Sequence, residues 1–380
     1  MKIRTAHPEE LADWDAGTVD EPGGHVYQSR AWAEHRRASG WDPRFLIADD
    51  GARALALTRA WPVVSGGSAY VPRGPVPMGA DAVSLGARLV GIGDALAAEG
   101  IDVVAADPEV PAAEAGFRTA IEAAGFHAIE ELQPARHRIS LPLGPGADEA
   151  AVFEAIAKST RQRIRGAERA DVAIVRHDTR TGAERRPARA PGGAPDGAGE
   201  GFLSPLEPAD VALDRFYDLL LETGERRRFS FGPRAGFVAW WRAALAAGHL
   251  VYLEARAGDA AGQPLAGLIL YRHGGRLSTV HSGDHDGARR SHPGALHLLR
   301  WRAIQLAIRE GGSEMDLGGV DVAGARGEPN EGDPLYGLYQ HKQSFGGRWL
   351  ALTGAHERIY DARGYRVGRL ASRVLRLARR

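Results

Sequence analysis

The chain has 380 residues, 44% of them apolar, with 48 basic and 48 acidic side chains that cancel to zero net charge, and no cysteine. That is enough for the cores of two ordinary domains, and it excludes disulfides, thiol nucleophiles and thiolate metal sites. No apolar run reaches the roughly 18 residues of a membrane span, and the opening "MKIRTAHPEELADWD" lacks the apolar stretch of a signal peptide, so a cytoplasmic protein is expected.

In chain order, "AWAEHRRASGWDPRFLIADDG" reads as an amphipathic helix stopped at Gly40, an apolar strand and a Gly/Asp turn into a second strand, "ALALTRAW". "LGARLVGIGDALAAEGIDVVAADP" then reads as a helix ending at Gly100 before another strand, followed by the helix "FRTAIEAAGFHAIEE". "DEAAVFEAIAKSTRQRIRGAERADVAIV" places Val152, Phe153, Ile156 and Ile164 on one face and Lys158, Arg161, Arg163, Arg165 and Arg169 elsewhere, which predicts one linking helix. Residues 180–201, rich in Pro, Gly and Ala and without periodicity, read as a disordered insertion.

The second half repeats the first. "AWWRAALAAGHLVYLEARAGD" matches the opening unit, with Trp240 eight residues before Gly248 as Trp32 is eight before Gly40. "LHLLRWRAIQLAIREGGSEMDLGG" answers the second unit, Glu310-Gly311 standing for Glu99-Gly100, and "LYQHKQSFGGRWLAL" answers the third. Recurrence in order at a nearly fixed offset predicts a duplicated α/β (α+β) domain. The expected division is 1–145, rejoined by 353–380, and 146–352. Each half has mixed strands flanked by helices in the order of the GNAT acyltransferase fold.

Charge is uneven. Residues 158–189 and the last 18 residues are arginine-rich. In the tail, Val367, Leu370, Val374 and Leu377 fall at helical spacing beside Arg366, Arg369, Arg373, Arg376 and Arg380. That pattern suits either a helix docked on the first domain or one lying on an anionic membrane surface. Against 45 arginines the chain has only three lysines. Lys342, in "LYQHKQSFGG", therefore stands out as a place where a compact, rotatable ammonium is wanted rather than a planar guanidinium.

"YQSRAW", "YVPRGPV", "KSTRQRIRGAERADVAI", "FYDLLLETGERRRF", "MDLGG" and "LYQHKQSFGG" occur in the order found in the Fem (FemABX) aminoacyltransferases, and the resemblance runs from about 25 to 355. It implies a tandem GNAT-like, monomeric enzyme that moves an amino acid from aminoacyl-tRNA to the stem peptide of a nucleotide-linked or lipid-linked peptidoglycan precursor. Such an enzyme builds the interpeptide bridge of the cell wall with no cofactor and no metal. By the same resemblance Lys342 is the active-site lysine, and Asp107 of "AADPE" is an acidic group near the reacting amine. Trp32, Arg73, Arg161, Arg165, Arg234, His281 and His341 are the candidate substrate contacts. Two departures stand out: His341 replaces the family's usual Phe, and Gly232 and Gly236 stand where several members carry an Arg and a Tyr that contact the precursor. Asp316 of "DLGG" reads as a structural cap.

Three other readings compete. An acyl-CoA-dependent GNAT enzyme needs a pyrophosphate loop, for which "RRSHPGALHLL" is the nearest candidate, and Pro293 removes one of its N–H donors. A non-catalytic basic module would grip tRNA or lipid through Arg161, Arg165, Arg226 to Arg228 and the C-terminal tail. The third is a metal site: His281, His285, His292 and His297 crowd one region beside Asp284, but "HSGDH", expected as a loop, fits no zinc spacing.

Overall fold

A computed structural model of the chain describes residues 1–180, 201–227 and 230–378; the expected insertion lies outside them except at its two end residues. Along the chain run β1 (Ile3–Thr5), α1 (Arg30–Ala38), β2 (Asp42–Ala48), β3 (Arg53–Ala60), β4 (Gly67–Val71), α2 (Ala82–Ala98), β5 (Val103–Ala106), α3 (Ala115–Ala123) and β6 (His127–Ala128). There follow β7 (Arg138–Pro142), α4 (Glu149–Ala155), α5 (Lys158–Arg169), β8 (Val172–His177), α6 (Ala209–Arg227), α7 (Arg234–Ala246), β9 (Leu250–Ala257) and β10 (Pro264–His273). The last elements are β11 (Arg276–Asp284), α8 (Asp286–Ser291), α9 (Ala295–Arg309), β12 (Glu314–Asp316), α10 (Tyr336–Gln343), β13 (Arg348–Leu350), β14 (His356–Ile359) and α11 (Ala362–Ala378). The chain divides into two compact units, residues 1–138, 319–331 and 349–380, and residues 139–318 and 332–348.

The two sheets confirm the α/β expectation, since each has seven strands and the same order. The first runs β1-β2-β3-β4-β5-β14-β6 and the second β8-β9-β10-β11-β12-β7-β13. In each, four antiparallel strands lead to one parallel pair, β4 with β5 or β11 with β12. An antiparallel strand then follows that is not the next in sequence, β14 or β7.

In the first unit, "YQSRAW" folds as it does because Ser29 caps α1, its Oγ accepting from Trp32 N at 3.0 Å, while Gly40 takes the left-handed conformation that ends the helix (φ +80°). Buried Gln28 ties three backbone groups together, donating to Leu55 O and Pro72 O and accepting from Leu55 N at 2.7 Å. Leu85, Leu89, Ile92 and Leu96 of α2 pack with Phe117 and Ile121 of α3 over Val71, Val104 and Ala106.

In the second unit, β9 and β10 are buried along almost their whole length, which requires cover on both faces. Helices α6, α7 and α9 supply it. The single linking helix expected from the apolar spacing is two helices. At Ile156 and Ala157 the backbone is extended, and Ala157 N donates to Ser344 O at 2.8 Å instead of continuing the helical ladder. A tertiary partner outcompetes the helix at that point. "HSGDH" is likewise not a loop: residues 281–284 belong to β11, because pairing with Ala266–Ile269 of β10 outweighs their poor strand propensity.

Candidate active site

Strands β11 and β12 pair in parallel only from Arg276–Ser278 to Glu314–Asp316. There β12 stops, while β11 runs on to Asp284. A bulge at Val280, where the partners of Ile269 and Leu270 jump from His281 to Thr279, bends β11 at the same level. The parting strands leave an opening at the tip of β12. Asp316 shapes its floor, its Oδ1 accepting from Gly318 N at 2.7 Å, and Gly318 turns the chain at φ +81°.

Lys342 enters this opening from α10. Tyr339 and Lys342, one helical turn apart, form the buried face of that short helix, and Lys342 is only 5% exposed. Its Nζ lies so close to Gly318 that a β-carbon there would sit 3.0 Å from the ammonium and 2.9 Å from Thr279 O. Thr279 Oγ1 is buried with no hydrogen-bond partner. The "SFGG" that follows is also determined by space. Ser344 Oγ accepts from Thr160 Oγ1 at 2.8 Å and donates to His341 O at 2.7 Å, Phe345 is fully buried, and Gly347 leaves no room for a side chain against Ile139 and Leu317.

Beside Lys342 is a cationic and aromatic cluster. Arg300 of α9, 1% exposed, donates through Nε to His341 Nε2 at 3.1 Å, and its Nη1 has no partner. Burial lowers the Arg300 pKa to about 10. Burial, then the positive charge of Arg300, drives His341 down to about 2, and burial with Arg163 nearby brings His297 to about 4. Both imidazoles are therefore neutral, and His341 serves as an acceptor packed edge-on against His297 and Phe345. His341→Phe should strip Arg300 Nε of its acceptor and cost about 2 kcal/mol of stability, measured by urea unfolding.

In the first unit the predicted residues Trp32, Arg73 and Asp107 share one neighbourhood. Asp107, fully buried at the end of β5, accepts from Tyr70 Oη at 2.9 Å and from Arg73 N at 2.8 Å. The Arg73 guanidinium lies 3.7 Å away and also donates to Ala135 O. Tyr27 stacks on Trp32 at 4.3 Å, and Trp32 and Tyr70 pack against the same apolar cluster. Burial pushes Asp107 up to about 6 against the opposing pull of Arg73. A carboxyl whose folded pKa stands above its unfolded value favours the fold at low pH, and that advantage is lost as pH rises through the folded pKa. The parent protein should thus lose stability relative to Asp107→Asn between about pH 4 and about pH 6, read from urea midpoints across that window.

The remaining predicted contacts are engaged with other partners. Arg161 and Arg165 both reach Glu154, and Arg165 also covers Phe153. Arg234 pairs with Asp218 and lies over Tyr217. His281 is held edge-on by Phe231, Phe237 and Trp241, and burial among them lowers its pKa to about 4. Asp284 is engaged by Arg226 and Arg289, and among the described residues no group of three His, Cys, Asp or Glu is placed to hold a metal ion. Sequence reasoning missed Thr279 and Arg300. The former depends on a bulge, and the latter is one arginine among 45.

Residues 198–343 match the family model described as an acetyltransferase (GNAT) domain. Among solved structures, the chain is similar to FemX, with 17% identity over 97% of this chain and 99% of that one and a TM-score of 0.72. It is also similar to L-PGS from Bacillus licheniformis (12%, 97% and 98%, TM-score 0.49) and to a tandem GNAT protein from the clavulanic acid biosynthesis pathway (12%, 94% and 98%, TM-score 0.42). No curated protein sequence matches. At these identities the likeness is one of fold.

Proposed function

We propose that this tandem GNAT-fold protein is a tRNA-dependent aminoacyltransferase acting on peptidoglycan precursors. The amine of a stem peptide attacks the ester carbonyl of aminoacyl-tRNA, a tetrahedral oxyanion forms, and the tRNA hydroxyl leaves. The observation that carries this reading is the Lys342 ammonium, buried where β11 and β12 part in a GNAT-like unit. An ammonium in that opening donates to the oxyanion as its charge develops, in surroundings dry enough to make the interaction strong. The ester is already activated, so the reaction needs neither metal nor CoA to drive it.

In the first unit, Asp107, whose pKa burial raises to about 6, is proposed as a proton-accepting carboxyl. Arg73, Trp32, Arg161, Arg165, Arg234, His281 and His341 are assigned to holding the two substrates. The acyl-CoA alternative is less well supported. A pyrophosphate needs open N–H groups at the start of α9, whereas Gly294 there abuts the Arg163 carbonyl with no room for a side chain, and Pro293 precedes it.

The test pairs candidate aminoacyl-tRNAs with nucleotide-linked and lipid-linked stem peptides and reads the product by mass. Gain of one amino-acid residue on the acceptor supports the proposal. Transfer from acetyl-CoA with none from any aminoacyl-tRNA would overturn it.

A further inference from the structure

We infer that α11 is a docking helix for an anionic phospholipid surface. Over Ala362–Ala378 it carries five arginines and no acidic residue. Its seat on the first unit uses the small residues: Gly368 lies flat against Trp61 and Gly364 against Asp102, which accepts from Trp61 Nε1 at 2.5 Å. Asp361 fixes the start, accepting from the N–H groups of Arg363 and Gly364 at 2.9 and 3.1 Å.

The apolar stripe takes no part in that seat. Val367, Leu370 and Val374 are 45%, 64% and 56% exposed. Arg366, Arg369 and Arg373 are exposed as well, and at 100° per residue they adjoin the stripe. Among the described residues, Arg363, Arg366 and Arg373 form no ion pair, while Arg369 rests on Tyr365.

An outward face that is apolar along one side and purely cationic along the other complements a boundary that is anionic at its surface and apolar beneath. The other occupants fit less well. A second copy would bring five arginines against five. A nucleic acid would satisfy the arginines and leave Leu370 and Val374 in water.

The experiment is co-sedimentation of the full chain with vesicles of phosphatidylcholine alone or mixed with phosphatidylglycerol, at low and raised salt. Binding is expected only to the mixed vesicles and should weaken with salt. Arg366→Gln/Arg369→Gln/Arg373→Gln should lower the partition coefficient about a hundredfold, and Leu370→Ser/Val374→Ser should also lower it severalfold. Equal binding to both vesicle types, unchanged binding by both variants, loss of binding only in the arginine variant together with equally tight binding to RNA, or a Leu370-dependent dimer in solution would each overturn the inference.

Discussion

Lys342→Met should lower acyl transfer by about a hundredfold or more and leave the fold nearly as stable as before. Methionine keeps the length and volume of the lysine stem, so the buried face of α10 shared with Tyr339 is preserved. What disappears is the charge at the opening, and losing one donor to a developing oxyanion typically costs about 3 kcal/mol in the transition state. Lys342→Arg keeps the charge but not the shape. At a position only 5% exposed a larger planar guanidinium has to displace its neighbours, so a loss of at least about tenfold is expected there too. The measurement is kcat/KM with aminoacyl-tRNA as donor, alongside thermal melts of each variant. Parental kcat/KM in the methionine variant would remove Lys342 from the chemistry.

Gly318→Ala is expected to damage stability and activity together. Its φ of +81° is a left-handed conformation that strains any residue with a β-carbon. That carbon would also press on the Thr279 carbonyl at 2.9 Å and on the ammonium at 3.0 Å. Strain plus overpacking amounts to about 3 kcal/mol of destabilisation. With Lys342 pushed from the tip of β12, kcat should fall about as far as in Lys342→Arg. Urea unfolding and kcat on the same preparation check both halves. A stable variant with parental kcat would mean that Lys342 reaches its position by another route.

The parts of this architecture that arise from local pattern were readable in the residues. Helix, Gly stop, strand and hairpin recur around Trp32 and around Trp240, and both copies fold as that pattern requires. Lys342 stood out because arginine dominates the cations everywhere else. The parts that arise from long-range partners were not readable. Ile156 and Ala157 continue an apolar helical spacing, and only Ser344, nearly two hundred residues later, draws their backbone out of the helix. Arg300 lies on a helix buried almost all round, where periodicity does not distinguish one face. Thr279 owes its place to a register jump against β10, which leaves no mark in composition.

The placement of β14 bears on how the protein is made. It lies between β5 and β6, paired with both, yet it is translated more than two hundred residues after either. A nascent chain emerging from the ribosome can therefore assemble β1 to β5 early, but β6 has no partner until residues 356–359 are exposed. The second unit, whose last segment ends at residue 348, leaves the tunnel first. The unit that holds β1 is thus the last to close, and for most of synthesis β5 presents an unpaired edge. Chains held on the ribosome by a C-terminal extension that leaves residue 348 outside the tunnel and residue 356 inside it should have a first unit that is sensitive to protease and a second that has reached its native resistance.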